Sequence, residues 1–362
     1  MYSPFRHVRD ILWKRRPIHL TFFVTRRCNS KCPYCFYLRT DNPTPDTRPE
    51  LSLEEIEKIS SSLGSLLWLA FSGGEIFLRD DLVEIAQTFY RNNKPSIMLF
   101  PTNGLLPELI RDRMETIVRS CHNSVVALKL SVDGIGPAHD ALRKTPGSFD
   151  KTLQTYRAVA GLIDRYPNFE LGVNTVFSSE NQDAMDEIID YVRGLDHIKT
   201  HTISLVRGSL LDKRYADVDH VKYFGAVQKL EENLKGGKAR VYRFRGGRIK
   251  AAQDILQRRL IHRTMRERTR IIPCYAGRLN LVLTEAGDIF PCELFTESLG
   301  NVRNYEYDMR KVASSESARR VKDSIQSNRC FCTHECYFMT NILFNPRMYP
   351  ALMKEYLQLR PK

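Results

Sequence analysis

The sequence predicts an α/β fold in which six strands alternate with helices on a parallel sheet, followed by a small α+β region rich in cysteine. Short apolar runs alternate with helical patterns from residue 18 to about residue 234, which is typical of βα units. Five of the nine cysteines lie in the last quarter of the chain. With 362 residues, 42% of them hydrophobic and 27% charged, the chain can bury a sizeable core.

The predicted strands are short apolar runs bounded by polar or glycine-rich segments. They occupy residues 18–24, 66–72, 96–100, 125–131, 169–176 and 198–205. Helix starts lie between them: Ser52 and Glu55 form a capping-box pattern, and Asp80 and Asp81 precede another helical run. In βα barrels the chemistry lies at the carboxyl ends of the strands. The residues that directly follow each strand are therefore the first candidates for a site.

Five segments follow from these patterns. They are a basic N-terminal extension or helix (1–17), the βα core (18–234), a basic linker with a helix near 249–268 (235–273), a cysteine-rich subdomain (274–340) and a C-terminal tail or helix (341–362). Within the subdomain, residues 279–292 predict a hairpin that turns at Gly287, and a helix is expected over about 305–323. Residues 41–50 predict a mobile loop.

The location of the protein decides how its cysteines are interpreted. We find no apolar run near the roughly 18 residues that cross a bilayer and no signal peptide, so we expect a cytoplasmic protein. In a reducing cytosol, clustered cysteines are more often metal or cluster ligands than disulfides. Eight of the nine cysteines are clustered, and the isolated Cys121 is expected to be a packed thiol.

Three cysteines follow the first predicted strand with the spacing C-x3-C-x2-C: Cys28, Cys32 and Cys35. Three thiolates from one loop can bind three irons of a [4Fe-4S] cube and leave the fourth iron open for a substrate or cofactor. A structural zinc site is the alternative, although such sites usually pair two C-x2-C knuckles with a nearby fourth ligand. The loop therefore predicts an iron–sulfur cluster with one open position.

This loop, with Tyr34 before the third cysteine and Gly73-Gly74-Glu75 after the second strand, resembles the radical S-adenosylmethionine (SAM) enzymes. The resemblance implies a partial (βα)6 barrel similar to a TIM barrel. It also implies a [4Fe-4S] cluster whose open iron binds SAM and cleaves it reductively to a 5′-deoxyadenosyl radical, which abstracts hydrogen from substrate. An electron donor such as flavodoxin or ferredoxin is then expected.

The resemblance also assigns SAM contacts. The positions that match are Tyr34, Gly73, Gly74, Glu75, Asn103, Ser131, Asp133, Arg143, Asn174, Val176 and Leu205. Glycines at 73 and 74 permit close backbone approach, and Glu75 can accept from the SAM amino group. Asn103, Ser131 and Asp133 match positions that hold the SAM carboxylate and ribose. Arg143 matches a carboxylate-binding arginine, but a solvated helix charge remains an equal alternative.

The C-terminal cysteines resemble the SPASM and twitch subdomains that hold auxiliary [4Fe-4S] clusters. The pattern consists of Cys274, Gly287, Cys292, Cys330, Cys332 and Cys336. Five thiols cannot fill two complete four-thiolate sites, so one auxiliary cluster in a twitch-like subdomain is expected. Its ligands are expected to be Cys274, Cys292, Cys336 and one of Cys330 and Cys332. A zinc ribbon is the alternative.

The net charge of +13 is concentrated in one segment. Residues 235–270 contain thirteen Lys or Arg against two acidic residues. This segment is either a solvated helix and loop or a surface for an anionic partner, and peripheral membrane contact stays open. In the helix the apolar stripe is expected to lie opposite Arg258, Arg259 and Arg263; its members are Ile249, Ala252, Ile255, Leu256 and Leu260. General nucleic-acid binding is not expected, since the rest of the chain is nearly balanced.

The substrate is the least determined feature. The leading hypothesis is oxidation or rearrangement of a small anionic metabolite or glycan precursor. The alternative is maturation of a ribosomally synthesised peptide by crosslinking, epimerisation or oxidation, and an alternative of another class is a zinc-binding nucleic-acid interaction module. Tyr275, Glu293 and His334 adjoin cluster cysteines and are candidate acid/base groups, but no catalytic residue is assigned.

Overall fold

The computed structural model describes residues 1–38, 47–239, 241–327 and 330–359. Most of the predicted mobile loop at 41–50 lies outside these residues. The strands are β1 (His19–Thr25), β2 (Trp68–Gly73), β3 (Ile97–Thr102), β4 (Val125–Ser131), β5 (Phe169–Phe177), β6 (Thr200–Leu205), β7 (Asn280–Leu283), β8 (Asp288–Phe290) and β9 (Gly300–Asn301). The six predicted strands of the core correspond to β1–β6.

Helices follow most of the strands. The α-helices are α1 (Leu53–Ser62), α2 (Leu82–Asn93), α3 (Pro107–Ser120), α4 (Pro137–Arg143), α5 (Ser148–Ala160), α6 (Leu162–Arg165), α7 (Met185–Arg193), α8 (His220–Lys235), α9 (Gly247–Glu267), α10 (Met309–Ser314), α11 (Glu316–Ser327), α12 (Glu335–Leu343) and α13 (Tyr349–Gln358). The capping box predicted at Ser52 and Glu55 is present at the start of α1. A 3₁₀ helix spans Pro4–Ile11 in the N-terminal extension.

The described strands form one sheet in the order β6-β5-β4-β3-β2-β1-β7-β8-β9. Strands β1–β6 pair in parallel with their sequence neighbours, so their carboxyl ends lie at the same edge. Strands β6 and β9 are the two edges, and the sheet is an open partial barrel rather than a closed one. The α/β partial-barrel fold is therefore confirmed.

The predicted hairpin of the C-terminal region is β7–β8, with Gly287 in the turn at a φ of 90°. This hairpin is not detached from the core, because β7 pairs in parallel with β1 from His19 opposite Asn280 onward. The helix expected over 305–323 is two helices. Ser315 has an extended backbone between α10 and α11, and its hydroxyl accepts from the Ala318 amide at 3.1 Å.

The core is continuous across the sheet and its helices. All seven residues of β1 are buried, as expected for a central parallel strand covered on both faces. The rings of Phe71 and Phe100 pack at a tilt with centroids 4.8 Å apart, and the ring centroid of Phe22 lies 6.0 Å from that of Phe89 in α2. This packing holds the strand ends, and hence the loops that follow them, in fixed positions.

The basic linker is a packed part of the molecule. Helix α9 contacts α8, α12 and α13, and it buries residues on several of its faces. Arg258, which was expected on the solvated face, is 6% exposed. The prediction of one apolar stripe opposite the three arginines is therefore wrong at Arg258. Within the described ranges, no helix combines the length and the apolar character needed to cross a bilayer.

Candidate active site

The cysteine loop begins directly after β1 and carries three free thiols, Cys28, Cys32 and Cys35. The Ser30 hydroxyl lies 3.2 Å from the Cys32 sulfur, and the Leu38 amide donates to the Cys35 sulfur over 3.2 Å. The pKa of Cys28 is raised to about 11, mainly by burial, with smaller contributions from Glu75 and the other two thiols. Three neighbouring thiols in one loop fit the donor set of a [4Fe-4S] cube with one open iron.

Gly73 and Gly74 place the end of β2 against this cysteine loop. Gly73 has a φ of 120°, and a Cβ there would lie 2.4 Å from the Thr25 carbonyl oxygen; a Cβ on Gly74 would lie 2.2 Å from the Arg27 oxygen. The Gly74 amide donates to the Thr25 oxygen over 2.8 Å. Glycine is required here because the backbone of the chain itself fills the space. Their predicted contact with SAM stays a prediction.

Glu75 joins the ends of β2 and β3. Its Oε1 accepts from the Thr102 hydroxyl at 2.8 Å and from the Phe77 amide at 3.2 Å, and its Oε2 accepts from the Asn103 amide at 2.7 Å. Burial raises its pKa, and these three donors oppose that shift. The carboxylate keeps one of about four acceptor positions for a further donor. The Asn103 side chain reaches Asn29 of the cysteine loop at 2.7 Å.

Asp133 connects the cysteine loop to the ends of β4 and β5. Its Oδ2 accepts from the Tyr34 hydroxyl at 2.6 Å and from Arg143 at 2.8 Å, and its Oδ1 accepts from the Val176 amide at 2.7 Å. Three other positions predicted to contact SAM are thus hydrogen-bonded directly to Asp133. Tyr34 and Asp133 are almost completely buried. The hydrogen bonds to Asp133 therefore hold the cysteine loop in place.

Arg143 is not the solvated helix charge that was the alternative, because its side chain is only 11% exposed. Burial alone would lower the pKa of Arg143, but Cys32, Tyr34 and Asp133 raise it above its ordinary value. A cation held beside the cysteine loop compensates the negative charge that thiolate ligands bring. Arg143 therefore fits a role at the cluster, whether or not it also reaches a bound carboxylate.

The remaining predicted SAM positions lie along the carboxyl ends of β4, β5 and β6. Asn174 is opposite Ser131 in register and accepts from the Ser204 hydroxyl at 3.0 Å. Asn174, Val176 and Leu205 line a cavity of about 310 Å³ in the lumen of the barrel, which Tyr34 also lines. Volumes of about 300–1,000 Å³ are usual for ligand sites. The lumen is therefore the candidate substrate cavity.

A buried charged group closes this cavity on the side of the cysteine-rich region. Arg207 donates to Glu293 at 3.0 Å and lies 3.6 Å from Glu335, while His334 contacts Glu293 at 2.6 Å. Burial would raise the pKa of Glu293, but His334 and Arg207 lower it to about 2. Arg207 was missed from sequence, although it lies two residues after the end of β6, where the strand-end rule applies.

Two of the three candidate acid/base groups, Glu293 and His334, line the lumen. The third, Tyr275, lies elsewhere: it packs against Ile18 and Leu279, and the Lys14 ammonium lies 4.9 Å from its ring centroid. Tyr275 lines neither the lumen nor the cavity between the C-terminal cysteines. The structure therefore favours Glu293 and His334 over Tyr275 as acid/base groups at the lumen.

Four C-terminal thiols line one cavity of about 180 Å³: Cys274, Cys292, Cys330 and Cys332. Burial raises the pKa of Cys332 to about 12, with further contributions from Cys274 and Cys330. Cys336 lies apart from them and lines the barrel lumen, near Glu293 and Arg207. The expected ligand set with Cys336 and one spare thiol at 330 or 332 is therefore at odds with the structure.

Within the described ranges, no three Cys, His, Asp or Glu side chains surround a single point at the spacing of one bound metal ion. A [4Fe-4S] cube binds each thiolate through a different iron atom, so its ligands stand farther apart than those of one ion. Four thiols around one cavity therefore fit an auxiliary cube as a donor set.

A family model described as the Radical SAM superfamily matches residues 22–192, from β1 to the end of α7. The chain carries a radical SAM domain. This domain contains the cysteine loop, the Gly-Gly-Glu motif and Asp133. The cofactors are a SAM-binding [4Fe-4S] cluster, SAM itself and an auxiliary [4Fe-4S] cluster. This domain is that of the radical SAM enzymes, and the alternative of a non-enzymatic zinc module is set aside.

Three curated relatives of this radical SAM chain are 26% identical to it. The antilisterial bacteriocin subtilosin biosynthesis protein AlbA of Bacillus subtilis matches over 302 residues, 81% of this chain and 59% of AlbA. Pre-heme d1 synthase of Dinoroseobacter shibae matches over 57% of this chain and 48% of its own length. The sporulation killing factor maturation protein SkfB of Bacillus subtilis matches over 51% of this chain and 42% of its own length. The chain thus spans about half the length of these relatives.

The fold of this chain is also similar to that of solved structures. SuiB of Streptococcus suis bound to S-adenosylmethionine superposes with a TM-score of 0.59, covering 88% of this chain and 71% of SuiB at 14% identity. At that identity the likeness concerns the fold. The matched share exceeds the family model's span, so the architecture beyond α7 is also similar.

Proposed function

We propose that this radical SAM enzyme modifies a ribosomally synthesised peptide by oxidation, crosslinking or epimerisation. One observation carries the proposal: the similarity to AlbA covers 81% of the chain and so extends well beyond residues 22–192 into the region of the C-terminal cysteines. The similarity to SkfB, another maturation protein, adds to it. The peptide alternative is thus better supported than the small-metabolite hypothesis that leads from sequence.

The lumen suits a single side chain of a longer substrate. Its volume of about 310 Å³ is at the low end for ligand sites, and its lining is largely apolar. Trp68, Leu99 and Leu171 contribute apolar surface, whereas Asn174 and Arg207 lie toward the carboxyl ends of the strands. A peptide that crosses this edge can insert one side chain while its backbone stays outside.

The bound cofactors supply reductive cleavage of SAM and a carbon-centred radical that abstracts hydrogen. The residues of the chain position and enclose this chemistry. Asp133 holds Tyr34 and Arg143 against the cysteine loop, and Glu75 holds Asn103. The apolar lining of the lumen excludes water from the reacting groups, which suppresses side reactions.

A small anionic metabolite is the second candidate. Lys129 and Lys250 both line the deeper part of the lumen and bring positive charge to it. The similarity to pre-heme d1 synthase also points toward a small-molecule substrate. The lumen also contains Glu170 and Asp254, which offset these cations, so we rank this candidate second.

The proposal is tested with anaerobically reconstituted enzyme, SAM and dithionite. Peptides encoded by short reading frames beside the gene are incubated with the enzyme and measured by mass spectrometry. We expect a mass change in one peptide, such as a loss of two hydrogens, or a backbone inversion detected after hydrolysis. SAM cleavage should increase when that peptide is added.

The matched control is the enzyme with Cys28, Cys32 and Cys35 changed to Ala, which should leave the peptide unmodified. Metabolites made by neighbouring genes are tested in parallel. Turnover of such a metabolite, with no modification of any neighbouring peptide, would replace peptide maturation by the second candidate.

A further inference from the structure

A second cavity, of about 220 Å³, lies outside the barrel lumen, between β6, α7, α8 and α9. His201 of β6 and Arg258 of α9 line its inner part, together with Lys199. Exposed Arg193, Asp196 and Lys238 lie at its rim. The cavity therefore reaches from solvent to a buried guanidinium.

Among the described arginines of the basic segment, Arg258 is the one that is buried. Its neighbour Arg259 pairs with Glu231 and Glu355, and Arg243 and Arg248 donate to backbone carbonyls. Arg258 is 6% exposed, and its Nη2 donates to the His201 carbonyl oxygen at 3.1 Å. Within the described residues, Nη1 has no hydrogen-bond partner and no carboxylate lies within ion-pair distance.

The nearest acidic group does not neutralise Arg258. Asp254 lies one helical turn earlier, but it pairs with Lys250 and accepts from the Tyr242 hydroxyl at 2.8 Å. Lys129 is also close enough for Arg258 to lower its pKa. A buried charge without a counterion is costly, and a buried guanidinium is usually paired with a carboxylate or phosphate. The missing counterion is thus expected from outside the chain.

His201 specifies the ligand more closely. The Thr175 hydroxyl donates to the Val132 carbonyl, so it accepts from His201, which places the imidazole proton on Nε2. Burial lowers the pKa of His201 to about 3, so the ring is neutral. Its Nδ1 is then an acceptor, and it has no partner among the described residues. A fitting ligand accepts from Arg258 and donates to His201.

We propose that this cavity binds a phosphate group, whose oxygens accept from Arg258 and whose remaining proton is donated to His201 Nδ1. A carboxylate has a single acidic proton and has lost it at neutral pH, whereas a phosphate group, with a second pKa of about 6, can bind as the monoanion that keeps one proton for His201. Lys238 at the rim adds positive charge along the entry path. The proposal goes beyond the peptide-modifying activity and does not depend on it, because the cavity lies outside the lumen.

The phosphate group has two possible sources, inorganic phosphate and a small phosphate ester. Reconstituted enzyme in phosphate-free buffer is titrated anaerobically by calorimetry with inorganic phosphate, with glycerol 3-phosphate and with acetate. We expect saturable binding of one phosphate compound per chain and a higher melting temperature at saturation. Tighter binding of glycerol 3-phosphate indicates an ester, and tighter binding of inorganic phosphate indicates the free ion.

Arg258→Met should weaken phosphate binding at least about tenfold, because it removes a charge-assisted hydrogen bond. Without phosphate this variant should melt no lower than wild type, since it removes an uncompensated buried charge. Arg259→Met changes the adjacent residue and the same net charge, and it should leave phosphate affinity within about twofold. If Arg258→Met does not fold, exposed Lys238→Met should still weaken binding several-fold.

Three outcomes would overturn the proposal. One is the absence of saturable binding by either phosphate compound, which would mean that the cavity holds only water. Another is acetate binding as tightly as phosphate. The third is equal phosphate affinity in wild type and the folded Arg258→Met variant.

Discussion

The Tyr34 hydroxyl donates to Asp133 Oδ2 over 2.6 Å, across 99 residues of sequence. This bond connects the cysteine loop after β1 to the loop after β4, and Arg143 donates to the same oxygen. The aromatic residue before the third cysteine is therefore a tether for the loop, in addition to any contact it makes with SAM. Both groups are buried, so water does not replace a lost bond.

Tyr34→Phe removes only this hydroxyl. We expect it to cost about 1–3 kcal/mol of stability, because a buried hydrogen bond to a charged group is lost. The reconstituted variant should have a lower melting temperature and lose iron faster in a chelator challenge. Tyr215→Phe is the matched control, since its ring lies 5.5 Å from that of Tyr34 and its hydroxyl makes no hydrogen bond to any residue that the structure describes. Equal chelator resistance in both variants would mean that the tether does not hold the loop.

Changing Cys28, Cys32 and Cys35 to Ala should abolish reductive SAM cleavage, because all protein ligands of the SAM-binding cluster come from this loop. About half of the iron should remain, bound by the C-terminal thiols. Iron analysis and detection of 5′-deoxyadenosine after dithionite reduction measure both effects. Cys121→Ala serves as the control, since Cys121 is fully buried and belongs to the core. SAM cleavage in the triple variant would contradict the assignment of this loop.

The fold of the core could be predicted because central parallel strands are buried on both faces and therefore appear as apolar runs. Each predicted strand lies within about two residues of β1–β6 at its ends. The cysteine loop and the Gly-Gly-Glu motif follow the strands predicted to carry them. The pairing of β7 with β1 could not be predicted, because no local pattern specifies which strand a hairpin joins.

Two side chains were misjudged because their positions depend on tertiary packing. Cys336 lies in the first turn of α12, and its direction follows from how that helix packs on α9. Arg258 appears solvated in a helical projection, but α8, α12 and α13 surround α9. Arg207, by contrast, lies two residues after β6 and could have been found by inspecting the residues that follow this strand. Sequence spacing therefore identified the thiols but not which of them converge.

Lys129 gives the protein a pH dependence that a single variant isolates. Burial lowers the pKa of Lys129 to about 7, and the amine reaches across Gly172 to Thr200 and Thr202. An unfolded lysine titrates near about 10.4. Below pH 7 the amine is charged in the folded and the unfolded state, and the burial of that charge destabilises the folded state in full. Between these values only the unfolded state keeps the proton, so stability rises with pH.

Relative to Lys129→Met, the wild type should gain up to about 1.4 kcal/mol per pH unit above pH 7. Melting temperatures of reconstituted enzyme from pH 6.5 to 9 measure this difference. Exposed Lys354→Met is the control and should follow the wild-type profile. A constant difference between wild type and Lys129→Met across this range would show that the amine stays charged in the folded state.

The last prediction concerns the auxiliary cluster, whose ligands we expect to be Cys274, Cys292, Cys330 and Cys332. These thiols share one cavity, whereas Cys336 faces the lumen. Cys332→Ala should therefore remove about half of the iron and still permit some SAM cleavage, because the cluster loop after β1 is untouched. Cys336→Ala should keep both clusters and change only substrate turnover.

Cys330→Ala distinguishes this ligand set from one with a spare thiol. If all four thiols bind iron, the changes at 330 and at 332 should each remove the auxiliary cluster's signal in electron paramagnetic resonance of the reduced enzyme. Cys336→Ala is the matched comparison, since it removes a thiol only four residues away while sparing the cavity. Loss of the auxiliary signal in Cys336→Ala, with retention in Cys330→Ala, would mean that the loop rearranges when the cluster binds and that Cys336 turns from the lumen to the iron.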